Sequence, residues 1–328
     1  MPESESKTKE TSLHKSDSEF DRKPFEFKGD GFEYFKIWIV NISLTILTLG
    51  VYSAWAKVRN NRYFYSNLYL DGHSFEYLAS PITILKGRIV AVIVFAIYIG
   101  LSQVSPLAAG GFTILLLIFT PWIAVRSMMF NHRMSAYRNV QFRFHGRWGE
   151  AAMALIVWPL IGIATIGIMY PYALLQINRF IVRNSAYGTT KFAFNATLKQ
   201  YAVIVLVAIG ILVLSGGIIF AFTGVSDFAG ILIIPVYVFF LVYTTVSFTN
   251  LYYNSVLLSE HGMEAELKFL PYAKVQLINF TLIVFTLGLY LPAAKVRITK
   301  YFSDNISFIA RGSLEAFAAS EKEQVSAL

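Results

Sequence analysis

The sequence contains no cysteine, and charged residues make up only 15% of its 328 residues. Without cysteine, the chain has no disulfide bond, no thiolate metal site and no cysteine nucleophile. It also lacks the His-Glu-x-x-His pair of metalloproteases, the Gly-x-x-x-x-Gly-Lys-Ser/Thr loop of nucleotide hydrolases and the Gly-x-Ser-x-Gly run of serine hydrolases. We therefore predict a protein that is not an enzyme and that holds neither a metal nor another cofactor.

Long apolar runs without charged residues dominate the chain, whose mean hydropathy is +0.54. These runs cover residues 37–56, 89–101 with its flanks, 107–125, 151–175, 201–222, 228–248 and 275–294. A bilayer core about 30 Å thick requires about 20 apolar residues for each helical crossing. The runs therefore predict an integral, multi-pass membrane protein. No acidic, basic or histidine side chain lies deep in any run, which disfavours an ion-coupled pump.

The net charge of +8 comes from basic residues that cluster where the apolar runs end. Residues 126–150 hold five basic and one acidic side chain, and residues 175–200 hold four and none. This distribution is typical of loops held at an anionic cytoplasmic leaflet. We therefore predict membrane lipids as partners, anionic on the cytoplasmic side, and no nucleic acid.

An internal repeat is visible at an offset of about 117 residues. Gly50 aligns with Gly167 at this offset, and the alignment continues without gaps on both sides. A third, partial copy follows, in which Thr286–Tyr290 repeats the pattern of Thr48–Tyr52. The repeat predicts a membrane unit that occurs twice in full and once in part.

The repeat defines the predicted domains and fold class. We expect a disordered polar tail at 1–24, membrane repeat 1 at 25–141, membrane repeat 2 at 142–262, a partial membrane repeat 3 at 263–311 and a polar C-terminal tail at 312–328. The Asp71-Gly72 pair between alternating apolar residues predicts a β-hairpin. The predicted fold is therefore an all-α polytopic membrane protein with small cytoplasmic β-pieces and a tandem internal repeat.

Basic and amide residues recur at fixed distances after the glycine of each copy. The candidate site set is Arg59, Arg62 and Asn67, then Arg179 and Asn184, then Arg297, Lys300 and Asn305. A spacing of three places the basic pair on one helix face. Such a face could bind an anionic lipid headgroup or solute, because guanidinium groups bind phosphate in a bidentate way. The alternative is cytoplasmic anchoring by positive charge, with each asparagine capping a helix end.

Three glycines, Gly50, Gly167 and Gly288, are candidate break positions in the membrane elements. Glycine and nearby prolines permit the helix break that a re-entrant segment needs. Basic residues flank the 151–175 run on both sides, so we favour a path that enters and leaves at the cytoplasmic face. The alternative is a seven-span chain whose N-terminus lies outside.

Two helical hairpins are predicted from pairs of apolar runs joined by short, nearly uncharged connections. Their tips lie near Ser105 and Gly224. Because basic residues flank both hairpins on the other side, we expect both tips to face the periplasm.

Three sequence motifs point to a known family, namely the segment 35–41, Thr48-Leu49-Gly50-Val51-Tyr52 and Asp71-Gly72-His73-x-Phe75-Glu76-Tyr77. Together they resemble those of the YjgN family of bacterial inner-membrane proteins. The resemblance covers roughly residues 25–310 and implies a bacterial inner-membrane location. It implies no substrate or catalytic residue, since the family is a domain of unknown function. The middle copy departs from the pattern at Met169 and Gln176.

Two functions remain open at the level of the sequence. The first is a passive channel or transporter for a small polar or amphipathic solute, suggested by the broken membrane segments. The second is a structural or lipid-interacting membrane protein that organises a complex, suggested by the missing intramembrane charges and the basic cytoplasmic face. A wide, water-lined cavity at the centre of the glycine elements would favour the first function, and a closed or lipid-filled centre the second.

Overall fold

The computed structural model describes residues 20–223 and 233–327, in which short strands, mostly in pairs, alternate with connections of two or more helices. The strands are β1 (Phe20–Phe27), β2 (Leu68–Leu70), β3 (His73–Tyr77), β4 (Ser135–Tyr137), β5 (Val140–Phe144), β6 (Ser185–Tyr187), β7 (Thr190–Phe194), β8 (Val256–Leu258), β9 (His261–Ala265) and β10 (Ile306–Arg311). The helices are α1 (Gly31–Leu47), α2 (Ser53–Ser66), α3 (Pro81–Val104), α4 (Pro106–Arg133), α5 (Trp148–Ala152), α6 (Trp158–Ala164), α7 (Tyr170–Asn184), α8 (Leu198–Thr223), α9 (Ile233–Asn254), α10 (Phe269–Phe285), α11 (Leu291–Asp304) and α12 (Leu314–Ser326). A π turn, Met153–Val157, joins α5 to α6.

The ten strands form one closed antiparallel barrel. Each strand pairs with its sequence neighbours, and β1 closes the barrel against β10. Two-residue turns join β2 to β3 and β4 to β5, and both turns place two successive residues at positive φ: Asp71 with Gly72, and Arg138 with Asn139. Such turns match the right-handed twist of antiparallel strands, which explains how short strands form tight hairpins here.

Every helical connection leaves the barrel and returns to it at the same end. The strand residues on either side of each connection are directly paired, as in Phe27 with Leu68, Tyr77 with Ser135, Phe144 with Ser185, Phe194 with Val256 and Ala265 with Ile306. The tight turns between β2 and β3, β4 and β5, β6 and β7, and β8 and β9 lie at the opposite end. The barrel therefore has a helix end and a turn end.

Two of the helical connections are long. Long pair 1 is α3 with α4, and long pair 2 is α8 with α9; within the described ranges, these are the four helices long and apolar enough to cross a membrane. In long pair 1, Ser105 joins the helices directly, and its hydroxyl accepts a hydrogen bond from Ala108 N as α4 begins. The predicted tip at Gly224 lies outside the described residues. Long pair 1 thus has the hairpin form expected from the sequence.

Three connections are short helix pairs that fold back at a glycine. Short pair 1 is α1 with α2, short pair 2 is α5 to α7, and short pair 3 is α10 with α11. Gly50, Gly167 and Gly288 have φ of +92°, +88° and +91°, and in each case the preceding residue also has positive φ. This left-handed pair ends a helix, and Gly50 N donates to Thr45 O at 2.7 Å as the chain reverses. The straight crossing at 151–175 that the seven-span alternative requires does not occur.

Helices α1 to α11 form a closed ring on the helix end of the barrel. Each packs against the next along the chain, through the π turn between α5 and α6, and α11 packs against α1. The closing contact is tight, because a Cβ on Gly31 would lie 3.2 Å from Ala293 Cβ. The barrel closes where β1 meets β10, and the helix ring closes where α1 meets α11. Both closures therefore join the N-terminal and C-terminal parts of the described chain.

The predicted fold class was wrong in two respects. The chain is not all-α with small β-pieces, because the short strands join into one ten-stranded barrel. Nor is it built from tandem repeat units, because every predicted unit supplies strands to the same sheet. The predicted boundaries at 141/142 and 262/263 fall inside β5 and β9, and the boundary at residue 24 falls inside β1. Residues 314–326 of the predicted C-terminal tail form α12.

Candidate functional site

The barrel encloses a cavity of about 260 Å³. Its wall is made mainly of aromatic and aliphatic side chains, among them Phe25, Leu70, Phe75, Tyr137, Phe142, Tyr187, Phe192, Met263 and Phe308. Successive side chains of a strand point to opposite faces, so alternate residues of the ten strands supply this wall. Eight strands give an interior that side chains can fill, and ten strands enclose a wider one. We refer to this cavity as the lumen.

The two tyrosine hydroxyl groups that the strands contribute to the lumen wall form hydrogen bonds within the wall itself. Tyr137 donates its hydroxyl proton to Leu70 O at 2.7 Å, and Tyr187 donates to Tyr137 O at 2.9 Å. Burial raises the pKa of both phenols, so they stay neutral at physiological pH. The lumen therefore presents ring faces and aliphatic groups to anything that enters it.

The outer face of the barrel includes polar and charged side chains. Residues that alternate with the lumen wall include Glu26, Glu76, Gln141 and Lys191, and all four are exposed. Barrels that span membranes carry an apolar band on the outside and polar groups within. The barrel therefore carries charged and amide side chains on its outside around an apolar interior.

The turn end of the lumen is closed by α12. Leu314, Phe317 and Ala318 face the lumen from this helix. Glu321, which is only 2% exposed, accepts hydrogen bonds from Thr189 N at 2.7 Å, Thr189 Oγ1 at 2.9 Å and Thr190 N at 3.3 Å, and also from Thr190 Oγ1. One carboxylate therefore fastens α12 to the turn between β6 and β7.

Acidification should loosen α12. Burial opposes ionisation of Glu321, but hydrogen bonds from Thr190 and Thr189 outweigh it and lower its pKa below the usual 4.5. Burial also lowers the pKa of His261 below 6.5, against the opposing effect of Glu260. His261 accepts from Arg311 N through Nδ1 at 3.0 Å and lies against the Phe317 ring. Both groups have depressed folded-state pKa values, so their stabilisation is present at neutral pH and is lost as pH falls.

We expect a spin label on a cysteine at Ala319, an exposed site on α12, to become mobile in two stages. The first stage begins below about pH 6.5 as His261 binds a proton, and the second below about pH 4.5 as Glu321 does. The His261→Gln variant should lose the first stage alone. A label equally immobile from pH 7 to pH 4 would contradict this assignment.

Two further cavities adjoin the lumen at its helix end. One, of about 170 Å³, shares Phe25, Leu68, Tyr253 and Met263 with the lumen and reaches Thr299 and Ser303 of α11. The other, of about 370 Å³, shares Leu68, Phe75 and Phe142 and reaches Asn131 and His132 of α4. Because they share wall residues with the lumen, both cavities adjoin it. They lie between the lumen and helices α4 and α11.

The three predicted asparagines occupy helix ends. Asn67, Asn184 and Asn305 each donate from Nδ2 to the carbonyl four residues earlier, at 2.8, 2.9 and 2.7 Å. Asn184 also donates to Glu150 Oε2 at 3.1 Å. This geometry is the capping role that the sequence left as the alternative.

The predicted basic residues lie on three separate helices, α2, α7 and α11. Arg59 and Lys300 are exposed, and Arg62 Nη2 donates to Ala79 O at 3.4 Å. Arg297 donates to Asn279 Oδ1 at 3.2 Å and to Tyr290 Oη at 2.5 Å. Arg179 lines a different cavity, together with Asn184. No cavity described here brings the three sets together.

The glycine turns stand apart from all of these cavities. A Cβ built on Gly50 or Gly167 would meet nothing within 4 Å. The neighbouring Leu49, Ile166 and Leu287 are 95%, 95% and 94% exposed. None of the cavities above is lined by Gly50, Gly167 or Gly288, so the predicted break positions are apolar tips rather than walls of a site.

Comparison of the whole sequence with known protein families identifies the family of the chain. The chain matches the family described as bacterial protein of unknown function (DUF898) over residues 22–328. The chain belongs to this family. As a DUF898 protein with four helices of membrane-spanning length and composition, it is a membrane protein.

Among its relatives is the inner membrane protein YjgN of Escherichia coli (strain K12), 26% identical over 235 residues that cover 60% of this chain and 59% of the relative. The YjgN of Salmonella typhimurium is 34% identical over 156 residues, covering 46% of this chain and 39% of the relative. The chain thus spans about three fifths, or less, of the length of these relatives. The YjgN resemblance drawn from sequence motifs is confirmed. No solved structure matches the chain.

The lumen was missed by reasoning from the sequence. Its wall includes the first member of each of four aromatic-x-aromatic pairs, which are Phe25 with Phe27, Phe75 with Tyr77, Phe142 with Phe144 and Phe192 with Phe194. Each pair lies in a strand that ends shortly before a helical connection. This recurring pattern was the available signal, because side chains two residues apart share one face of a strand.

Proposed function

We propose that the protein is a multi-pass inner-membrane protein that binds the acyl chain of an amphipathic membrane lipid in its lumen. One observation carries the proposal: an aromatic-lined apolar lumen is closed by α12 at the turn end and is adjoined at the other end by cavities that reach helices α4 and α11. In this proposal, the lipid chain enters the lumen from the bilayer through these adjoining cavities. This is the lipid-interacting alternative, given a specific site.

The chemistry of the wall selects the ligand. Each buried methylene contributes about 0.8 kcal/mol, whereas burying a polar group without a partner costs on the order of 2 kcal/mol or more. The hydroxyl groups of Tyr137 and Tyr187 already donate hydrogen bonds to backbone carbonyls. A polar solute gains little here, so among the solutes considered for a channel or transporter the lumen favours the amphipathic one.

The distribution of charge supports the placement in the membrane. Basic residues such as Lys36, Arg88, Arg126 and Arg179 lie within about two helical turns of the barrel, and the segments beyond them carry no charge. From Lys36 to Leu47, helix α1 rises about 16 Å, roughly half of a bilayer core. The basic level then lies at the headgroups, the short pairs re-enter, and the barrel stands in the cytoplasm. The YjgN relatives are named inner membrane proteins.

Filling the lumen should abolish binding of the apolar chain. Ala318 is buried against the lumen, while the adjacent Ala319 is exposed. In Ala318→Trp the indole occupies ligand space, and we expect at least a tenfold loss of affinity for a fluorescent long-chain fatty acid, about 1.4 kcal/mol. Ala319→Trp is the matched control and should bind as the parent protein does.

Far-ultraviolet circular dichroism should first show that both tryptophan variants are folded. If Ala318→Trp binds the fatty acid with unchanged affinity, the lumen is not the site. If neither the parent protein nor the control binds any acyl chain, the proposed function fails.

A further inference from the structure

Short pair 2 contains a groove of about 580 Å³ that is separate from the lumen. It lies between the start of the pair, around the π turn, and the last two turns of α7. Its walls include Glu150, Met153, Trp158, Gln176, Arg179 and Arg183. A π turn widens a helix locally and often marks a functional position.

Arg179 has an unpaired hydrogen-bond donor in this groove. Its Nε is buried and has no hydrogen-bond partner among the described residues. A guanidinium group carries five N–H donors and stays charged, so a buried donor without an acceptor costs free energy. Glu150, the carboxylate in the same groove, accepts instead from Asn184 at 3.1 Å. The unpaired donor indicates that an acceptor belongs in the groove.

The equivalent positions of the other short pairs are built differently. Buried Asn41 of short pair 1 donates to Asn60 Oδ1 at 2.8 Å, and buried Asn279 of short pair 3 accepts from Arg297 at 3.2 Å. Amides therefore tie the two helices of those pairs together. In short pair 2, Trp158 packs edge-on against Tyr172 at 4.6 Å instead. In short pair 2, a contact between aromatic rings therefore replaces the amide hydrogen bond. The groove lies next to this contact.

We propose that this groove binds the phosphate group of a membrane phospholipid. Arg179 and Arg183 supply charged donors, which bind phosphate oxygens strongly. Arg179 lies five residues before the end of α7, about 8 Å from the barrel, which is the level of the other basic residues. Met153 and Trp158 offer apolar surface on the opposite wall, where the glycerol and upper chain of a lipid would lie. The proposal does not depend on the lumen binding a lipid.

The test measures affinity of the purified full chain for three probes: short-chain phosphatidylglycerol, a diacylglycerol with the same chains, and inorganic phosphate. Arg179→Gln should weaken phosphatidylglycerol binding about tenfold, the loss expected for a charged hydrogen bond. Arg147→Gln removes the same charge at an exposed site outside the groove and should change affinity less than about twofold. Diacylglycerol should bind the parent protein and both variants equally.

The outcomes separate the possible ligands. Equal losses in the two variants would reduce the effect to general charge and overturn the site. Inorganic phosphate that competes as tightly as the lipid would make a soluble anion the ligand and overturn the lipid assignment. If Arg179→Gln does not fold, Arg179→Lys keeps the charge without the Nε donor, and unchanged affinity in that variant would overturn the proposal. Ala318→Trp should leave this response intact, which separates it from failure of the lumen.

Discussion

A single cysteine at Ser105 is expected to react with an impermeant maleimide in intact cells, whereas one at Gln141 should react only after the cells are opened. Ser105 joins the two helices of long pair 1 at the end farthest from the barrel. Gln141 is exposed on the outer face of β5. Because long pair 1 leaves and returns at one end of the barrel, we expect its tip and the barrel to lie on opposite sides of the bilayer.

Cysteines at Leu49 and Leu287 should form a third class that reacts in neither condition. These tips of short pairs 1 and 3 are 95% and 94% exposed, although both are large apolar residues. Their exposure is costly in water and favourable in hydrocarbon, where a thiol does not ionise and cannot attack the reagent. Dissolving the bilayer in detergent should make both sites reactive, which controls for accessibility.

Other labelling patterns would contradict the arrangement. Labelling at Leu49 in intact cells would mean that short pair 1 crosses the membrane rather than re-entering it. Labelling at Leu49 in opened cells, with the bilayer still in place, would put the short pairs in the cytoplasm. Reaction at Gln141 in intact cells would place the barrel outside the cytoplasm and reverse the topology.

The membrane helices and the fold-back turns were accessible from the sequence because their signals are local. A charge-free run of twenty residues is enough to predict a helix such as α8, whatever the rest of the chain does. Gly50, Gly167 and Gly288 have positive φ at helix ends, a conformation that strongly favours glycine and so can be anticipated from the sequence. Ile166 has a φ of 52°, which is unusual for a β-branched residue and was not predictable from the sequence.

The barrel was not accessible, because its pairings are non-local. Phe27 pairs with Leu68 across a whole helical connection, and Phe20 pairs with Arg311 across nearly the whole described chain. Strands of three to five residues such as β2 and β4 are too short to show their own periodicity. The Asp71-Gly72 turn correctly predicted the hairpin of β2 and β3. The strands that pair with this hairpin on either side could not be predicted from the turn.

The site residues also divide into those predictable from local spacing and those that depend on tertiary contacts. Fixed spacing found Arg179, Arg297 and the three asparagines, because the recurring helices carry them at equal distances from a turn. Spacing alone did not distinguish an arginine that is paired, such as Arg297, from one with an unpaired donor, such as Arg179. Glu321 lay in a segment read as a polar tail, and its bonds to Thr189 and Thr190 depend on tertiary contact.

Replacing Glu321 with leucine should detach α12 from the barrel. The carboxylate accepts hydrogen bonds from two backbone amides and two hydroxyl groups of Thr189 and Thr190, and leucine can accept none of them. Hydrogen bonds to a buried charged group contribute roughly 1.5–3 kcal/mol, so we expect about 3 kcal/mol less stability for the docked helix. Amide hydrogen exchange of residues 314–326 should accelerate about a hundredfold at fixed pH.

Glu323 provides the matched control for this change, because it is exposed on the same helix two residues later. Glu323→Leu should leave exchange within about twofold of the parent protein, as expected for a surface substitution. Exchange in β3 and β5 should stay slow in both variants, since the ring of paired strands closes through β1 and β10 without help from α12. If Glu321→Leu accelerates exchange across the whole barrel instead, α12 is part of the cooperative core. If it accelerates nothing, the apolar contacts of Leu314, Phe317 and Ala318 hold the turn end closed by themselves.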